Sequence, residues 1–331
     1  MAVLQRYIAL CAICTPSANN MLGFKKIKRG RRREFYFCGV RLYGYQKKPT
    51  PREAADLKLQ AAMERAFWAS HSASFSEGGL LVSLTTFGKR ADTVHITLQT
   101  LLEQTLPPAR ILLWLDEAEF QPDNLPANLC HALARGVDIR FCKNLLSYKK
   151  IIPALEAFPG NAVITVDDDV MYPPDFIAGL ARSHARYPEH ILCYRAHEMM
   201  FDEQGALLPY QQWRKCVRYP AAGTLLFPTG SGGVLYPAGS LHPEVLNVPA
   251  FMQLAPRGDD IWLKAMTMIQ GRAAMVVPGE NTWVDVPPSI ADTQVDCLAI
   301  ENLREGNDRQ IAQVFDAYDI WRLLTVTPGA K

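Results

Sequence analysis

Short apolar runs alternate with amphipathic helical segments from Leu80 onward, and this alternation constrains the fold more than any other feature. The strand-like runs are LLVSLTTF, ARILLWL, VDIRFC, NAVITV and HILCYR. The helical segments are DTVHITLQTLLEQTL, with Asp92 as its expected N-cap, SYKKIIPALEAF and PPDFIAGLARSHARY. Strands and helices in this order predict an α/β fold with a mostly parallel central sheet flanked by helices. Ligands of such sheets bind beyond the carboxyl ends of the strands.

The composition is that of a globular protein. The chain has 331 residues, of which 49% are hydrophobic, and a formal net charge of +2. A charge this small gives no support for nucleic-acid binding. Among the 8 cysteines only Cys11 and Cys14 form a CxxC pair, which is weak support for a zinc site. The scattered cysteines predict buried free thiols and a cytoplasmic location.

The N-terminal 48 residues are expected to form an extension of the main domain. Residues 1–20 are expected to be poorly ordered. Either Met1 or Met21 is expected to be the true start. Residues 25–33, KKIKRGRRR, are almost all basic and are followed by an aromatic segment. They indicate either a flexible solvated arm or a peripheral contact with the anionic inner face of a membrane, where each basic side chain contributes about 1 kcal/mol.

The remaining sequence divides into three segments. Residues 49–79 predict a helical linker, because REAADLKLQAAMERAFWAS has helical spacing and SFSEGG favours a flexible connection. Residues 80–320 contain the alternating strands and helices and form the expected α/β domain. Residues 321–331 are a tail.

Three consecutive aspartates, Asp167–Asp169, follow the apolar run VITV. Adjacent carboxylates repel one another, and burial near the sheet raises their pKa unless a cation compensates. Because side chains alternate along a strand, we expect Asp167 and Asp169 to share one side and Asp168 to point elsewhere. Their oxygens suit a hard cation, Mg²⁺ or Mn²⁺, that also binds phosphate. The alternative is a solvated acidic turn that caps the next helix.

Three further motifs are expected near the same edge of the sheet. Asp259 and Asp260 in RGDDIWLKAM begin an amphipathic helix, as either an ordinary helix cap or a second carboxylate pair that faces the first. The small-residue loop TGSGGVLYP, which contains Gly230 and Gly232, allows backbone to approach a ligand closely. Ser147–Lys150, SYKK, supplies cations suited to a diphosphate.

Taken in order, these segments resemble the GT-A glycosyltransferases, in which a DxD motif binds a nucleotide-sugar through a metal. More narrowly they resemble a bacterial family of surface-glycan glycosyltransferases of the lipopolysaccharide or capsule type. The matching segments are VSLTTFGKR, ILLWL, FCKNLLSYKKIIPALEAFP, ITVDDDVMYPPDF, YRAHEM, TGSGGVLYP and GDDIWLKAM. VDDD and DDIW are also similar to motifs of the exostosin-like glycosyltransferases. The resemblance covers about residues 80–320.

The resemblance implies a nucleotide-sugar donor, first of all a UDP-sugar, a glycan or lipid-linked glycan acceptor, and Mn²⁺ or Mg²⁺ as cofactor. It makes Asp169 and Asp167 the metal ligands, with Asp167 also near the ribose, and turns Asp168 toward the hydroxyls of the donor sugar. It makes Asp260 the catalytic carboxylate, with Asp259 beside it. The implied donor contacts are Thr85, Thr86, Arg90, Lys149, Lys150 and Gly232. Arg195, His197 and Trp213 are implied near the donor or acceptor, although a buried Trp213 is an equal alternative.

One departure concerns the metal. Many GT-A enzymes supply a late histidine as an extra ligand, but the last histidine here is His242, before Asp259. The resemblance therefore implies that water or the donor completes the coordination. The resemblance does not decide whether the configuration of the sugar is inverted or retained. The exostosin-like motifs mildly favour retention.

Two other functions are alternatives. A phosphotransferase of the haloacid dehalogenase type also uses DxD after an apolar strand, but Met171 stands where that class has Thr or Val, and three strands precede the motif. A non-catalytic scaffold of a glycan-assembly complex would tolerate loss of the Asp169 carboxylate, whereas a transferase would not.

Overall fold

A computed structural model describes residues 24–29, 32–37, 40–70, 73–76, 79–278, 289–290 and 306–324. Its contacts divide the chain into two compact units, Met1–Ala54 and Ala55–Lys331. The segment boundaries at residues 48, 79 and 320 stay predictions. The expectation for residues 1–20 lies outside the described residues.

The first unit contains a three-stranded antiparallel sheet. Its strands are β1, Phe24–Arg29, β2, Arg32–Phe37, and β3, Val40–Gln46, in the order β1-β2-β3. The prediction of a flexible arm is therefore wrong for the described part of residues 25–33, which is strand. The reason is that EFYF and VRLYGY are rich in residues that favour strands, and they give the basic run a partner to pair with.

The helical spacing of residues 49–79 corresponds to α1, Pro51–Ala69, whereas the role of this segment as a linker stays a prediction. It begins with a capping box, in which the Thr50 N–H donates to Glu53 Oε2 (2.7 Å) and the Glu53 N–H donates to Thr50 Oγ1 (3.2 Å). Near its other end, Phe67 is fully buried, and its carbonyl is 2.9 Å from His131 Nε2. The capping box stabilises the first turn of the helix, and Phe67 holds its other end against the α/β unit.

The second unit is built on an eight-stranded sheet. Its strands are β4 (Leu81–Thr85), β5 (Arg110–Asp116), β6 (Asp138–Cys142), β7 (Val163–Thr165), β8 (Ile191–Cys193), β10 (Ala222–Gly223), β12 (Val234–Tyr236) and β13 (Ala274–Val276). Their order is β10-β13-β8-β12-β7-β4-β5-β6. The pairings β7-β4, β4-β5, β5-β6 and β13-β8 are parallel, and β12 lies antiparallel between β7 and β8. Two short strands, β9 (Ala196–Glu198) and β11 (Leu226–Pro228), pair separately.

Helices cover both faces of this sheet, which confirms the predicted α/β class. They are α2 (Val94–Leu102), α3 (Ala127–Ala134), α4 (Ile152–Ala157), α5 (Phe176–Arg186), α6 (Val248–Leu254), α7 (Asp259–Ile269) and α8 (Asn307–Ala317). Successive residues of β8 enter different cores, because side chains alternate across a strand. Ile191 and Cys193 pack in the same cluster as Trp262 of α7, and Leu192 packs in the cluster that contains Leu98 of α2.

Two helical predictions need correction. Asp92 does not cap α2, because it ends a 3₁₀ turn, Gly88–Asp92, and the helix begins at Val94. SYKKIIPALEAF is not one helix but a 3₁₀ turn, Leu146–Lys150, followed by α4. Pro153 accounts for this break, because it has no N–H with which to continue an α-helical hydrogen-bond ladder through the turn.

The prediction of buried thiols holds for one described cysteine. Cys193 is buried, Cys142 and Cys216 are partly buried, and Cys130 is exposed, all as free thiols. None of the helices that the structure describes combines the length and apolar character needed to cross a bilayer.

Candidate active site

A cavity of about 950 Å³ opens at the carboxyl edge of the sheet. Thr85 at the end of β4, Asn144 after β6, Asp167 after β7 and Arg195 after β8 all line it. Chain segments that leave several strands at one edge therefore meet here, which is where α/β sheets bind ligands. The cavity also receives Asp260 from the first turn of α7.

The acidic motif is a turn that directly follows β7. Arg90 Nη2 lies 2.7 Å from Asp168 Oδ1 and 2.5 Å from Asp169 Oδ2. Asp167 instead pairs with Lys150. The expected grouping of Asp167 with Asp169, away from Asp168, is wrong. β7 ends at Thr165, so strand alternation does not continue through the aspartates.

Asp168 is held by the protein itself. Its Oδ2 accepts a hydrogen bond from Thr86 Oγ1 (2.7 Å), and its Oδ1 faces Arg90. Burial raises the pKa of Asp168 to about 7, although Arg90 and the Thr86 hydroxyl act in the opposite direction. Thr86 itself is buried and acts through Asp168. The resemblance implied that Asp168 contacts the hydroxyls of the donor sugar. In the structure, both oxygens of its carboxylate already have protein partners.

Lys150 joins the acidic turn to α7. Its Nζ lies 3.0 Å from Asp167 Oδ1 and 3.0 Å from Asp259 Oδ2. Burial lowers the pKa of Lys150, but Asp167, Asp259 and Asp260 together raise it well above its usual value. Gly230 leaves room for this ammonium, because a Cβ there would lie 2.8 Å from Lys150 Nζ. Two carboxylates thus already hold the lysine that the sequence assigned to a diphosphate.

The start of α7 presents two carboxylates in different settings. Asp259 is buried and accepts a hydrogen bond from Ser147 Oγ (2.8 Å). Asp260 lines the cavity, and its Oδ2 accepts from the Gly230 N–H (3.2 Å). Burial, and then the charge of Asp259, raise the pKa of Asp260 to about 7, while Lys150 lowers it. Asp260 can therefore exchange a proton near neutral pH.

Lys149 is the neighbouring lysine, and its setting differs from that of Lys150. It lines the cavity and is only 2% exposed. Within the part of the chain that the structure describes, it has no carboxylate within ion-pair distance and no hydrogen bond. Because Lys149 lines the cavity without an ion-pair partner among the described residues, an anion bound there would gain a charge-assisted hydrogen bond.

A second wall of the cavity comes from the far half of the sheet. Arg195 Nη1 donates to Thr229 Oγ1 (2.6 Å). His197 Nδ1 accepts from the Cys216 N–H (3.1 Å), and burial, helped by Arg195, lowers the pKa of His197 to about 3. His197 is therefore neutral. Tyr210 and Lys215 complete this wall.

Three predicted residues, Thr86, Trp213 and Gly232, do not line the cavity, and Tyr210 and Lys215 are among the lining residues that were not predicted from the sequence. Trp213 is 2% exposed, and its indole N–H donates to the Leu208 carbonyl (2.7 Å), so it is a buried tryptophan. Gly232 allows a close approach to protein rather than to a ligand, because a Cβ there would lie 2.5 Å from Arg195 Cβ. Tyr210 and Lys215 flank Trp213 in the sequence, and that aromatic and basic stretch was the only signal for them.

The acidic turn has the chemistry of a divalent-cation site but not a complete one. Carboxylate oxygens are suitable ligands for Mg²⁺ or Mn²⁺. Among the residues that the structure describes, however, no three His, Cys, Asp or Glu side chains are grouped to hold a metal. Lys150 and Arg90 already contact Asp167 and Asp169. The residues therefore fit a cation only if phosphate oxygens of a ligand supply the rest of its coordination.

Comparisons with known proteins find solved structures alone, since no family model and no curated protein matches the chain. The mannosyltransferase PcManGT from Pyrobaculum calidifontis, in complex with GDP-Man and Mn²⁺, is 12% identical, with 82% of this chain and 79% of that chain covered and a TM-score of 0.45. S. aureus TarS 1–349 in complex with UDP is 15% identical, with 58% and 55% covered and a TM-score of 0.38. CMP:2-keto-3-deoxy-manno-octonic acid synthetase with CTP is 11% identical, with 60% and 88% covered and a TM-score of 0.37. At such low TM-scores, the function has to be inferred from the site itself.

Proposed function

We propose that the protein is a metal-dependent glycosyltransferase, which transfers a sugar from a nucleotide-sugar to a growing bacterial surface glycan. The donor expected first is a UDP-sugar. One observation carries this proposal. A single cavity collects the acidic turn, a lysine with no counter-ion among the described residues, Lys149, and the Asp260 carboxylate, which accepts from the Gly230 N–H (3.2 Å). These are the groups required to bind a diphosphate and to act on an acceptor hydroxyl.

The donor occupies the half of the cavity formed by β4 to β7. Lys149 provides positive charge for the diphosphate without first breaking an ion pair, unlike Lys150. Thr85 and Arg90 line the same half, beyond the end of β4. A divalent cation held by Asp169 and Asp167 together with the donor phosphates would supply further positive charge toward the leaving diphosphate.

Asp260 acts on the sugar or on the acceptor. When the bond from the sugar to phosphate breaks, negative charge collects on the diphosphate, and Lys149 stabilises it. In an inverting reaction the Asp260 carboxylate takes the proton of the acceptor hydroxyl, for which a pKa of about 7 is well matched to neutral pH. In a retaining reaction the same carboxylate supports the positively charged sugar.

The test measures the thermal stability of the full chain with UDP, GDP and CMP, each with and without Mn²⁺. We expect a stabilisation that needs nucleotide and Mn²⁺ together, because the residues that the structure describes do not complete a metal site by themselves. The stabilising base then selects a panel of nucleotide-sugars, from which release of nucleoside diphosphate or monophosphate is followed.

D169N is the matched variant. We expect it to keep its circular dichroism spectrum and to lose both the Mn²⁺-dependent stabilisation and sugar transfer. Full activity of D169N would favour the scaffold alternative. Phosphate release from phosphomonoesters, without turnover of any nucleotide-sugar, would favour the phosphotransferase.

The cytoplasmic location and a peripheral contact through residues 25–33 belong to the same proposal. Support for the contact is the density of basic residues in that segment. Co-sedimentation with vesicles that contain phosphatidylglycerol, compared with pure phosphatidylcholine vesicles, tests it. Equal binding to both kinds of vesicle would contradict it.

A further inference from the structure

The second wall of the cavity, formed by Arg195, His197, Tyr210 and Lys215, is cationic and offers hydrogen-bond donors. Arg195 donates from Nη1 to the Thr229 hydroxyl, at 2.6 Å. Its Nε is buried and has no hydrogen-bond partner. Lys215 Nζ lies 3.6 Å from the centre of the Tyr210 ring and also donates to the Tyr210 carbonyl. His197 accepts through Nδ1, which places its ring proton on Nε2.

Neither cation of this wall has a carboxylate partner among the residues that the structure describes. Over the part of the chain that the structure describes, no Asp or Glu lies within ion-pair distance of Arg195 or Lys215. Asp308 is close enough to act on Lys215, but its carboxylate accepts from the Tyr210 N–H (2.6 Å). Burial, and then the charge of Arg195, lower the pKa of Lys215 to about 8. The two cations therefore repel each other across a cavity wall.

Position assigns this wall to the acceptor side. Arg195 and His197 follow β8, which lies beyond β12 from the donor half formed by β4 to β7. Tyr210 is close enough to Asp260 for that carboxylate to raise its pKa, after the larger effect of burial. The second wall therefore reaches the neighbourhood of the proposed catalytic carboxylate, and the strand order places Arg195 and His197 outside the donor half.

We propose that Arg195 and Lys215, assisted by His197, bind an anionic group of the acceptor, a phosphate or a carboxylate near the hydroxyl that receives the sugar. This rests on the proposed function. The donor diphosphate has its own unpaired cation in Lys149, so it does not need the second wall. An anion placed between Arg195 and Lys215 relieves their repulsion and gains charge-assisted hydrogen bonds.

The test is a binding measurement on the full chain with UDP or GDP and Mg²⁺ present at saturation. The probe is glucose 6-phosphate, and glucose is the neutral control. We expect glucose 6-phosphate to bind at least about tenfold more tightly than glucose, because its phosphate gains a charge-assisted hydrogen bond that glucose cannot form. The preference should weaken as salt is raised.

K215M is the main variant, because Lys215 is exposed over part of its side chain and its described contacts are with Tyr210; its melting temperature should stay close to that of the native chain. We expect it to abolish most of the preference for glucose 6-phosphate and to leave the dissociation constant for the nucleotide within about twofold. K58M, which removes an exposed lysine of α1 outside the cavity, should change neither value. R195Q should act like K215M, provided that its melting temperature shows a folded chain.

The outcomes separate the two proposals. No nucleotide binding at all would contradict the proposed function. Nucleotide binding with equal affinity for glucose 6-phosphate and glucose would contradict only the anionic acceptor. If K215M keeps the preference, Lys215 does not bind the anion. If K215M weakens nucleotide binding about tenfold, the second wall belongs to the donor diphosphate, and the inference is wrong.

Discussion

Replacing Lys264 with methionine is expected to stabilise the protein at pH 7 and to destabilise it at pH 10. Lys264 lies on α7, one turn after Asp260, and is only 2% exposed. Its Nζ donates to the Thr224 carbonyl, and burial lowers its pKa from 10.5 to about 7. No described carboxylate lies within ion-pair distance of it.

The sign follows from the direction of this shift. Between pH 7 and 10.5 the unfolded chain holds a proton on Lys264 that the folded chain has released, so the free energy of unfolding rises with pH across this window. The lowered pKa corresponds to a penalty of about 4 kcal/mol at pH 7 and about 1 kcal/mol at pH 10. Losing the hydrogen bond to Thr224 and leaving that carbonyl without a partner cost the variant about 2 kcal/mol at either pH.

K264M should therefore be about 2 kcal/mol more stable than the native protein at pH 7 and about 1 kcal/mol less stable at pH 10. Urea unfolding at both pH values, followed by circular dichroism, measures the difference. K58M, at an exposed position of α1, is the control and should differ little from the native protein at either pH. A stability difference between K264M and the native protein that does not change with pH would refute this reasoning.

Three further predictions concern the site. K149M should weaken nucleoside diphosphate binding about tenfold or more without loss of stability, because it removes a cation that has no described partner. K150M should instead lower the free energy of unfolding in urea by about 3 to 5 kcal/mol, because it removes the counter-ion of two carboxylates, Asp167 and Asp259. G230A should lose about 1 to 3 kcal/mol, because the added Cβ would lie 2.8 Å from Lys150 Nζ; unchanged stability would show that the loop yields freely. If the reaction is inverting, the transfer rate should rise with pH through about 7, as Asp260 ionises, and D260N should remove this rise.

The sequence was sufficient to predict the parallel half of the sheet and the residues at its edge. The strands β4 and β5 are long apolar runs, and their buried character is visible in the sequence. The strands β7, β8 and β12 are each three residues long, so length does not distinguish them. β7 and β8 belong to the alternation of strands and helices that predicts parallel neighbours, whereas the structure describes no α-helix between β9 and β12, so nothing in the sequence indicates the direction of β12. The α/β class was therefore predictable, whereas the antiparallel position of β12 was not.

The ion pairs within the site were harder to predict than the residues that form it. Asp167, Asp169, Asp259 and Asp260 were expected at one cavity and all line it. Which cation pairs with which carboxylate depends on where β7 ends and where Lys150 points, and both are set by tertiary packing. Tyr210 and Lys215 lie in a loop whose local sequence carries no regular pattern, so only the fold places them in the same cavity as Asp260.

The reversed direction of β12 has a mechanical consequence. Because this strand runs against β7, the residues that enter it arrive at the same edge as the residues that leave β7, and Val234 pairs with Thr165. The glycine segment that starts at Gly230 leads into β12, and the acidic turn follows β7. The two segments therefore lie side by side at the same edge of the sheet. A register slip of one residue would move one past the other by about 3.3 Å. Main-chain hydrogen bonds between two short buried strands, rather than the loops themselves, thus hold Gly230 at its distance from Lys150.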